Sequence, residues 1–310
     1  MRDRTFRTLL AVTVTTVLLT GCTAGADTVT EPEVAHPVDL CSLAAPSGGV
    51  SDAVIVDGTV GSPATVSFTG PRTIPSTERT VIVEGDGEPV DSASLVEYAM
   101  TVFDAATGEQ LQAQGYDDTP MLPVPAISLG QLLGCAPVGS RIVVAVPETD
   151  QEGATVRVLD LLSVQPSRAT GDEQKPVEGM PIVELAQSGA PTVTIPNAEP
   201  PADTSVAVLR MGDGTIVAAG DTVMVQYTAV RWSDGTVIDS SWSTGAPTVL
   251  VTTEVIAGYR EALEGQAVGS QVLVVIPPKF AYGEGQINEQ DLTGETLVLV
   301  VDILATMPTP

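Results

Sequence analysis

Aromatic residues make up only 4% of this 310-residue chain, and basic residues are scarce too. Thirteen Lys and Arg stand against 39 Asp and Glu, for a formal net charge of −26. So little positive charge leaves nothing to neutralise a run of phosphates, which argues against nucleic-acid binding. His36 is the one histidine, in a polar N-terminal stretch where a solvated side chain is expected. A Ser-His-Asp or Cys-His nucleophile device is therefore excluded, no cluster has metal-ligand spacing, and no Gly-rich phosphate loop opens a helix. No metal and no cofactor is expected. Any catalysis must work without a nucleophile.

Val, Thr and Ala dominate the apolar residues, and 29 Gly and 24 Pro punctuate them. This composition leans to β-structure, and the length suffices for two domains with separate cores.

The N-terminus reads as a processing signal. Arg2, Arg4 and Arg7 precede an apolar run from Leu9 to Leu19, about half the ~20 residues that span a bilayer, so a secretory segment is expected and not a retained helix. It ends in Leu19-Thr-Gly-Cys22, which resembles the lipobox of bacterial lipoproteins. The resemblance implies cleavage before Cys22, acylation of that cysteine, and an extracytoplasmic protein lipid-anchored to the outer face of the bacterial cytoplasmic membrane. Residues 1–21 carry Arg2, Arg4 and Arg7 against Asp3, so the mature chain stands at −28, a charge that keeps such a protein soluble. Residues 22–48 are expected to be a flexible spacer. Cys41 and Cys135 remain; outside the membrane they either form a bridge pinning the spacer's end to the first domain or stay as two buried thiols.

An internal repeat organises the rest. Gly61-Ser-Pro-Ala-Thr-Val-Ser-Phe68 answers Gly189-Ala-Pro-Thr-Val-Thr-Ile195, and Thr80–Gly87 answers Ala207–Gly214. Leu95-Val-Glu-Tyr98 answers Met224-Val-Gln-Tyr227, and Pro137–Pro147 answers Ala267–Pro277. Conserved order at near-constant spacing predicts two copies of one domain. The boundaries read as 49–166 and 181–310, with 167–180 as a linker of turn formers and charges. Within each copy, Val- and Leu-rich runs bounded by Gly, Pro and Asp predict antiparallel strands, and one stretch has helical spacing: Ile256, Tyr259 and Leu263 share a face. The expected fold class is α+β, each copy a curved antiparallel sheet wrapped around one short helix.

In the second copy, alternation puts Val223, Val225 and Tyr227 on one strand face, and the helix offers Ile256 and Tyr259 to the same side. Leu250, Val255, Phe280, Tyr282, Leu297 and Leu299 are available to line an apolar cleft suited to an extended or proline-containing peptide. Tyr227-Thr-Ala, Asp234-Gly235, Ile238-Asp-Ser-Ser241, Val255-Ile-Ala-Gly-Tyr259 and Phe280-Ala-Tyr-Gly283 together resemble the FKBP-type peptidyl-prolyl cis-trans isomerases over roughly 206–304, and the fold expected is two tandem FKBP-like domains. The resemblance implies Tyr227, Asp239 and Tyr282 as catalytic residues, with Tyr282 donating to the substrate carbonyl. Ile238, Leu250, Val255, Ile256, Tyr259, Phe280 and Leu299 would bind substrate. Where the family carries pocket Phe and Trp this chain has Ile238, Thr248, Tyr259 and Leu299, and polar Gln290-Asp291 follows the Tyr282 loop, so the cleft has fewer aromatic walls.

The first copy is expected to be degenerate and not to isomerise proline. It keeps Tyr98 but has Gln112 for Asp239 and Pro125-Ala126 for Val255-Ile256, and it lacks the Phe-Ala-Tyr-Gly hairpin. The leading reading is an isomerase assisting the folding of secreted or cell-surface proteins, its partners being proline-containing polypeptide clients and, through the lipid, the membrane. The alternatives are a non-enzymatic peptide-binding lipoprotein or holdase chaperone, and a purely structural surface protein. Oligomeric state is not legible.

Overall fold

The protein is described by a computed structural model over residues 38–69, 73–287 and 292–309; the leader, Cys22, His36 and Gln290-Asp291 lie outside the described residues. Among them no helix is long and apolar enough to cross a membrane. Most strands fall into two sheets. The first holds β1 (Glu78–Val83), β2 (Ser94–Asp104), β3 (Gln110–Gln114), β4 (Val124–Pro125), β5 (Arg141–Val146) and β6 (Thr155–Pro166). The second holds β7 (Asp172–Glu173), β8 (Ser205–Met211), β9 (Thr222–Arg231), β10 (Val237–Ser240), β11 (Thr248–Val251), β12 (Gln271–Ile276) and β13 (Leu297–Met307).

The order is β1-β5-β6-β2-β3 in the first sheet, with β4 also on β2, and β10-β9-β13-β12-β8-β7 in the second, with β11 also on β9. Leaving β7 aside, the two paths are the same. Equivalent loops close with equivalent bonds: Gly139 N–H to the Leu161 carbonyl and Gly269 N–H to the Ile303 carbonyl, both 2.8 Å. The Asp-Gly turns match as well, Gly87 and Gly214 each donating to a valine carbonyl, Val138 and Val268, at 3.1 Å.

These bonds fix a register that letter matching misplaced. Leu161 corresponds to Ile303, and β2 sets Tyr98 opposite Leu161 whereas β9 sets Val225 opposite Ile303. The counterpart of Tyr98 is therefore Val225, and that of Tyr227 is Met100. Each strand carries an irregularity nearby, at Glu97/Tyr98 and at Met224/Val225, so a run of Val and Leu gives no internal mark of the true offset. Gln112 does face Val102 as Asp239 faces Ala229.

The helices differ more than the sheets. Ala257–Leu263 packs on the concave side of the second sheet, and Gly258 lets it approach: a Cβ there would lie 2.4 Å from Ile276 Cγ2. In the first copy the helix is only Gly130–Leu133, after a 3-10 turn Ala126–Leu129. Strand pairing makes Pro125 the counterpart of Val251, and matching turn bonds make Leu133 that of Leu263. Eight steps in the first copy thus span what takes twelve in the second, a deficit of about one helical turn. The expected substitution of Val255-Ile256 by Pro125-Ala126 is instead a deletion.

Both faces of each sheet are covered, which explains why its central strands are largely apolar on both sides instead of alternating. On the convex side a hairpin lies over each sheet, Ile55–Asp57 with Thr65–Ser67 over the first and Ile182–Leu185 with Pro191–Thr194 over the second. A small apolar seam, Leu95 with Met224 and Leu304, joins the two halves.

Two segments expected to be loose are built into the fold. Of the spacer 22–48, residues 38–48 are docked: Leu40 is buried in the first core, the Ala45 N–H donates to Gln131 (3.0 Å), and Cys41 is bridged to Cys135 with Cα atoms 4.7 Å apart. The linker 167–180 adds β7 to the edge of the second sheet against Arg210 and Met211, and Ala169 is buried.

Candidate active site

On the concave side of the second sheet lies a cleft of about 420 Å³. Its floor is β9, β13 and the helix; its walls are β10, β11 and the loop between β12 and β13. Nine of the ten residues expected from the sequence line it: Tyr227, Ile238, Asp239, Leu250, Val255, Ile256, Tyr259, Tyr282 and Leu299. Phe280 does not. Its ring packs against the core from outside the cleft, under Lys279 Nζ at 4.8 Å from the ring centroid. Ala229, Thr248, Glu254, Leu292 and Leu297 also line the cleft. Leu297 had been placed among the available residues, whereas Glu254 and Leu292 sit in irregular segments where no periodicity marks them.

The Asp-Ser-Ser element fixes the edge strand by hydrogen bonds. The Ser241 hydroxyl accepts from the Tyr227 N–H at 2.8 Å, and Ser240 pairs with Thr228 at 2.9 Å, so the two serines pin the strand end to β9. Asp239 is thereby held over the cleft, where it accepts from the Tyr227 hydroxyl at 2.5 Å and from the Ser240 N–H at 2.8 Å. Burial, then the bond to Asp239, raises the Tyr227 phenol well above its ordinary range. It stays neutral, with its proton committed to the carboxylate. Tyr259 forms the inner floor, its ring 6.2 Å from that of Tyr227 and tilted by 55°. Burial raises its phenol as well, and its hydroxyl has no hydrogen-bond partner. Tyr282 stands at the lip, 53% exposed, beside Gly283 in a left-handed conformation (φ 99°).

The arrangement is an apolar trough with a braced Tyr-Asp pair at one side and a phenol at the rim. Among the described residues no group of His, Cys, Asp and Glu is placed to bind a metal ion.

The equivalent place on the first sheet is a different surface. A cavity of about 440 Å³ is lined there by Met100, Val102, Gln112, Thr155 and Arg157, among others. Arg157 occupies the position of Leu299, since Asp160 and Asp302 correspond. It lies 3.8 Å from Glu152.

This fold and cleft are those of a domain of the prolyl isomerase class. The sequence model of the family described as FKBP-type peptidyl-prolyl cis-trans isomerase matches residues 214–304. An FK506-binding protein from Streptomyces anulatus is 38% identical over 118 residues, covering 37% of this chain and 95% of that protein. A probable FK506-binding protein from Corynebacterium glutamicum is 33% identical over 116 residues, covering 37% and 97%. Among solved structures, that of FkpA from Escherichia coli aligns at 28% identity over 43% of this chain and 54% of that one, with a TM-score of 0.33. The chain belongs to the FKBP-type peptidyl-prolyl cis-trans isomerase family, and it is an enzyme of that type.

Proposed function

We propose that the chain consists of two tandem FKBP-like domains, 49–166 and 181–310 joined by 167–180, and that catalysis belongs to the second alone. Its substrates are proline-containing segments of secreted or cell-surface polypeptides. The protein meets them outside the cytoplasmic membrane, tethered by a lipid on Cys22 after removal of residues 1–21. The observation that carries the reading is the cleft with its bound Tyr227–Asp239 pair and its exposed Tyr282.

Rotation about an X-Pro bond is opposed by amide resonance, a barrier of about 18–20 kcal/mol. The planar amide is more polar than the twisted one, so a trough lined by Ile238, Leu250, Val255, Ile256 and Leu299 disfavours the ground state more than the transition state. Tyr282, at the lip, donates to the carbonyl of the residue before proline and holds it while the bond turns. Tyr227 and Asp239 brace each other, and Tyr259 supports the ring from below. No proton is transferred and no covalent bond is made.

A proline-limited refolding assay or a proline-peptide assay with the full chain tests this. The wild type is expected to accelerate the slow phase, and Asp239→Ala and Tyr282→Phe to weaken the effect. No acceleration by the wild type would refute the reading. For the tether, Cys22→Ser is expected to move the protein from the membrane fraction to the soluble one; retention in the membrane would contradict the lipid.

A further inference from the structure

On the convex face of the first sheet Arg141, 1% exposed, is the centre of a closed set of hydrogen bonds. Its guanidinium donates to both oxygens of Asp160 at 2.6 Å, to the Gly58 and Ser62 carbonyls at 2.8 Å and to the Thr59 carbonyl at 2.7 Å. Asp160 also accepts from the Gly61 N–H at 2.8 Å. The three carbonyls belong to the turn of the overlying hairpin, so arginine, carboxylate and turn complete one another.

The second sheet repeats the cradle without the arginine. Asp302 stands for Asp160 and Gln271 for Arg141. The hairpin turn places Leu185, Ala186 and Gly189 where Gly58, Thr59 and Ser62 stand, and both turns are closed alike, Ser62 N–H to Thr59 and Gly189 N–H to Ala186. The shorter Gln271 reaches Asp302 Oδ1 at 2.7 Å and stops there, while the Ala169 N–H takes Oδ2 at 2.8 Å.

Beyond Gln271 lies a cavity of about 440 Å³, bordered by Asp302 and by all three turn counterparts. Arg168 and Arg210 form part of its wall. Arg168 donates to the carbonyl of Gln187 (3.1 Å), a residue of the same turn that also borders the cavity and stands where Val60 stands in the first cradle. Arg210 donates to Gly171 (3.3 Å) and lies 4.0 Å from Glu173. Asp302, 2% exposed, makes no ion pair among the described residues. Burial raises its carboxyl above the ordinary range, against the opposing effect of the bonds from Ala169 and Gln271 and of the more distant charges of Arg210 and Arg168.

We propose that this cavity is a guanidinium site that receives an arginine side chain of a bound polypeptide. Its chemistry is that of the first cradle: a buried carboxylate facing turn carbonyls, matched by a planar cation with five donors. The cavity shares Leu185, Arg210 and Gln271 with an apolar groove of about 600 Å³ running along Met180, Leu209 and Leu273. That groove suits the aliphatic stem and the neighbouring residues. The site lies on the face of the sheet opposite the proline cleft and does not depend on isomerase activity.

Methylguanidinium chloride is the probe, titrated at millimolar concentration into the full chain at constant ionic strength, with sodium chloride as the balance. Calorimetry is expected to give saturable binding. Thermal unfolding is expected to shift upward; at ten times Kd the folding equilibrium rises about elevenfold, opposite in sign to the denaturing action of guanidinium at high concentration. Gln271→Arg fills the cradle from within and should be more stable than wild type and insensitive to the probe. Asp302→Asn should also lose the response. The proposal is overturned if the probe stabilises wild type no more than sodium chloride does, or if it stabilises wild type and Gln271→Arg equally.

Discussion

The two sheets have the same strand order, the same turn bonds and the same hairpin over the convex face, yet only one carries an apolar cleft. The differences lie in a few places. The second copy has four more residues between its edge strand and the end of the helix, with Val255 and Ile256 extended just before Ala257–Leu263, and a long loop between β12 and β13 bearing Tyr282. On the shared strands it has Tyr227, Asp239 and Leu299 where the first has Met100, Gln112 and Arg157. Burial on both faces keeps the sheet fixed whatever stands on its rim. The two clefts differ by two insertions and three side chains, while the strand order and turn bonds of the scaffold stay the same.

The copies also differ in what secures them. The first draws in residues 38–48 and bridges Cys41 to Cys135 across 94 residues, whereas the second has no disulfide among the described residues. Chain-entropy reasoning for a loop of that size gives about 4.7 kcal/mol of stability. Reduction, or Cys41→Ala with Cys135→Ala, is expected to destabilise the first half by roughly that amount and leave the second half's turnover unchanged. Denaturant unfolding monitored beside an isomerisation assay separates the two effects. Equal loss in both halves would erase the distinction.

Converting the second copy towards the first is expected to have the next largest effect. Removing Thr253–Ile256 deletes the extra residues and should lower kcat/KM by about 10²-fold, since displaced walls no longer hold the substrate in line. Circular dichroism should retain the sheet signal. Tyr282→Phe removes one donor at the lip and should cost about tenfold in kcat/KM, near 1.4 kcal/mol, with little change in stability because the side chain is half exposed.

The smallest effect is electrostatic. An ordinary phenol titrates near pH 10, and burial with the Asp239 bond raises Tyr227 above that in the folded state. A raised folded-state value means that the contribution of Tyr227 to stability is complete below pH 10 and is lost as the pH rises further. Alkaline absorbance titration should show a native phenol step displaced upward, returning to the usual range on unfolding. Asp239→Ala should bring part of that step back down.

Much of the cleft was legible because its residues sit at marked places. Asp239 precedes two serines that bond to the neighbouring strand, Ile256, Tyr259 and Leu263 follow helical spacing, and Tyr282 precedes a glycine with positive φ. Phe280, on the short turn Pro278–Phe280, packs against the same core but does not line the cleft. The Tyr98–Tyr227 match failed because a bulge in each Val-rich strand removes any sequence trace of register. The deletion was hidden too: Pro125-Ala126 can be written beneath Val255-Ile256 with no penalty that letters reveal. The docking of residues 38–48 was legible only as one of two alternatives for Cys41 and Cys135, because so short a segment carries no periodicity and only the partner surface decides whether it binds.

The claim that turnover belongs to one copy is tested most directly by a paired assay on the full chain. Asp239→Ala with Tyr282→Phe alters the second cleft, and Met100→Ala with Gln112→Ala alters the equivalent surface of the first. The first pair is expected to bring proline isomerisation close to the uncatalysed rate, and the second pair to leave it at the wild-type value. Similar losses from both pairs, or a greater loss from the Met100/Gln112 pair, would contradict the account.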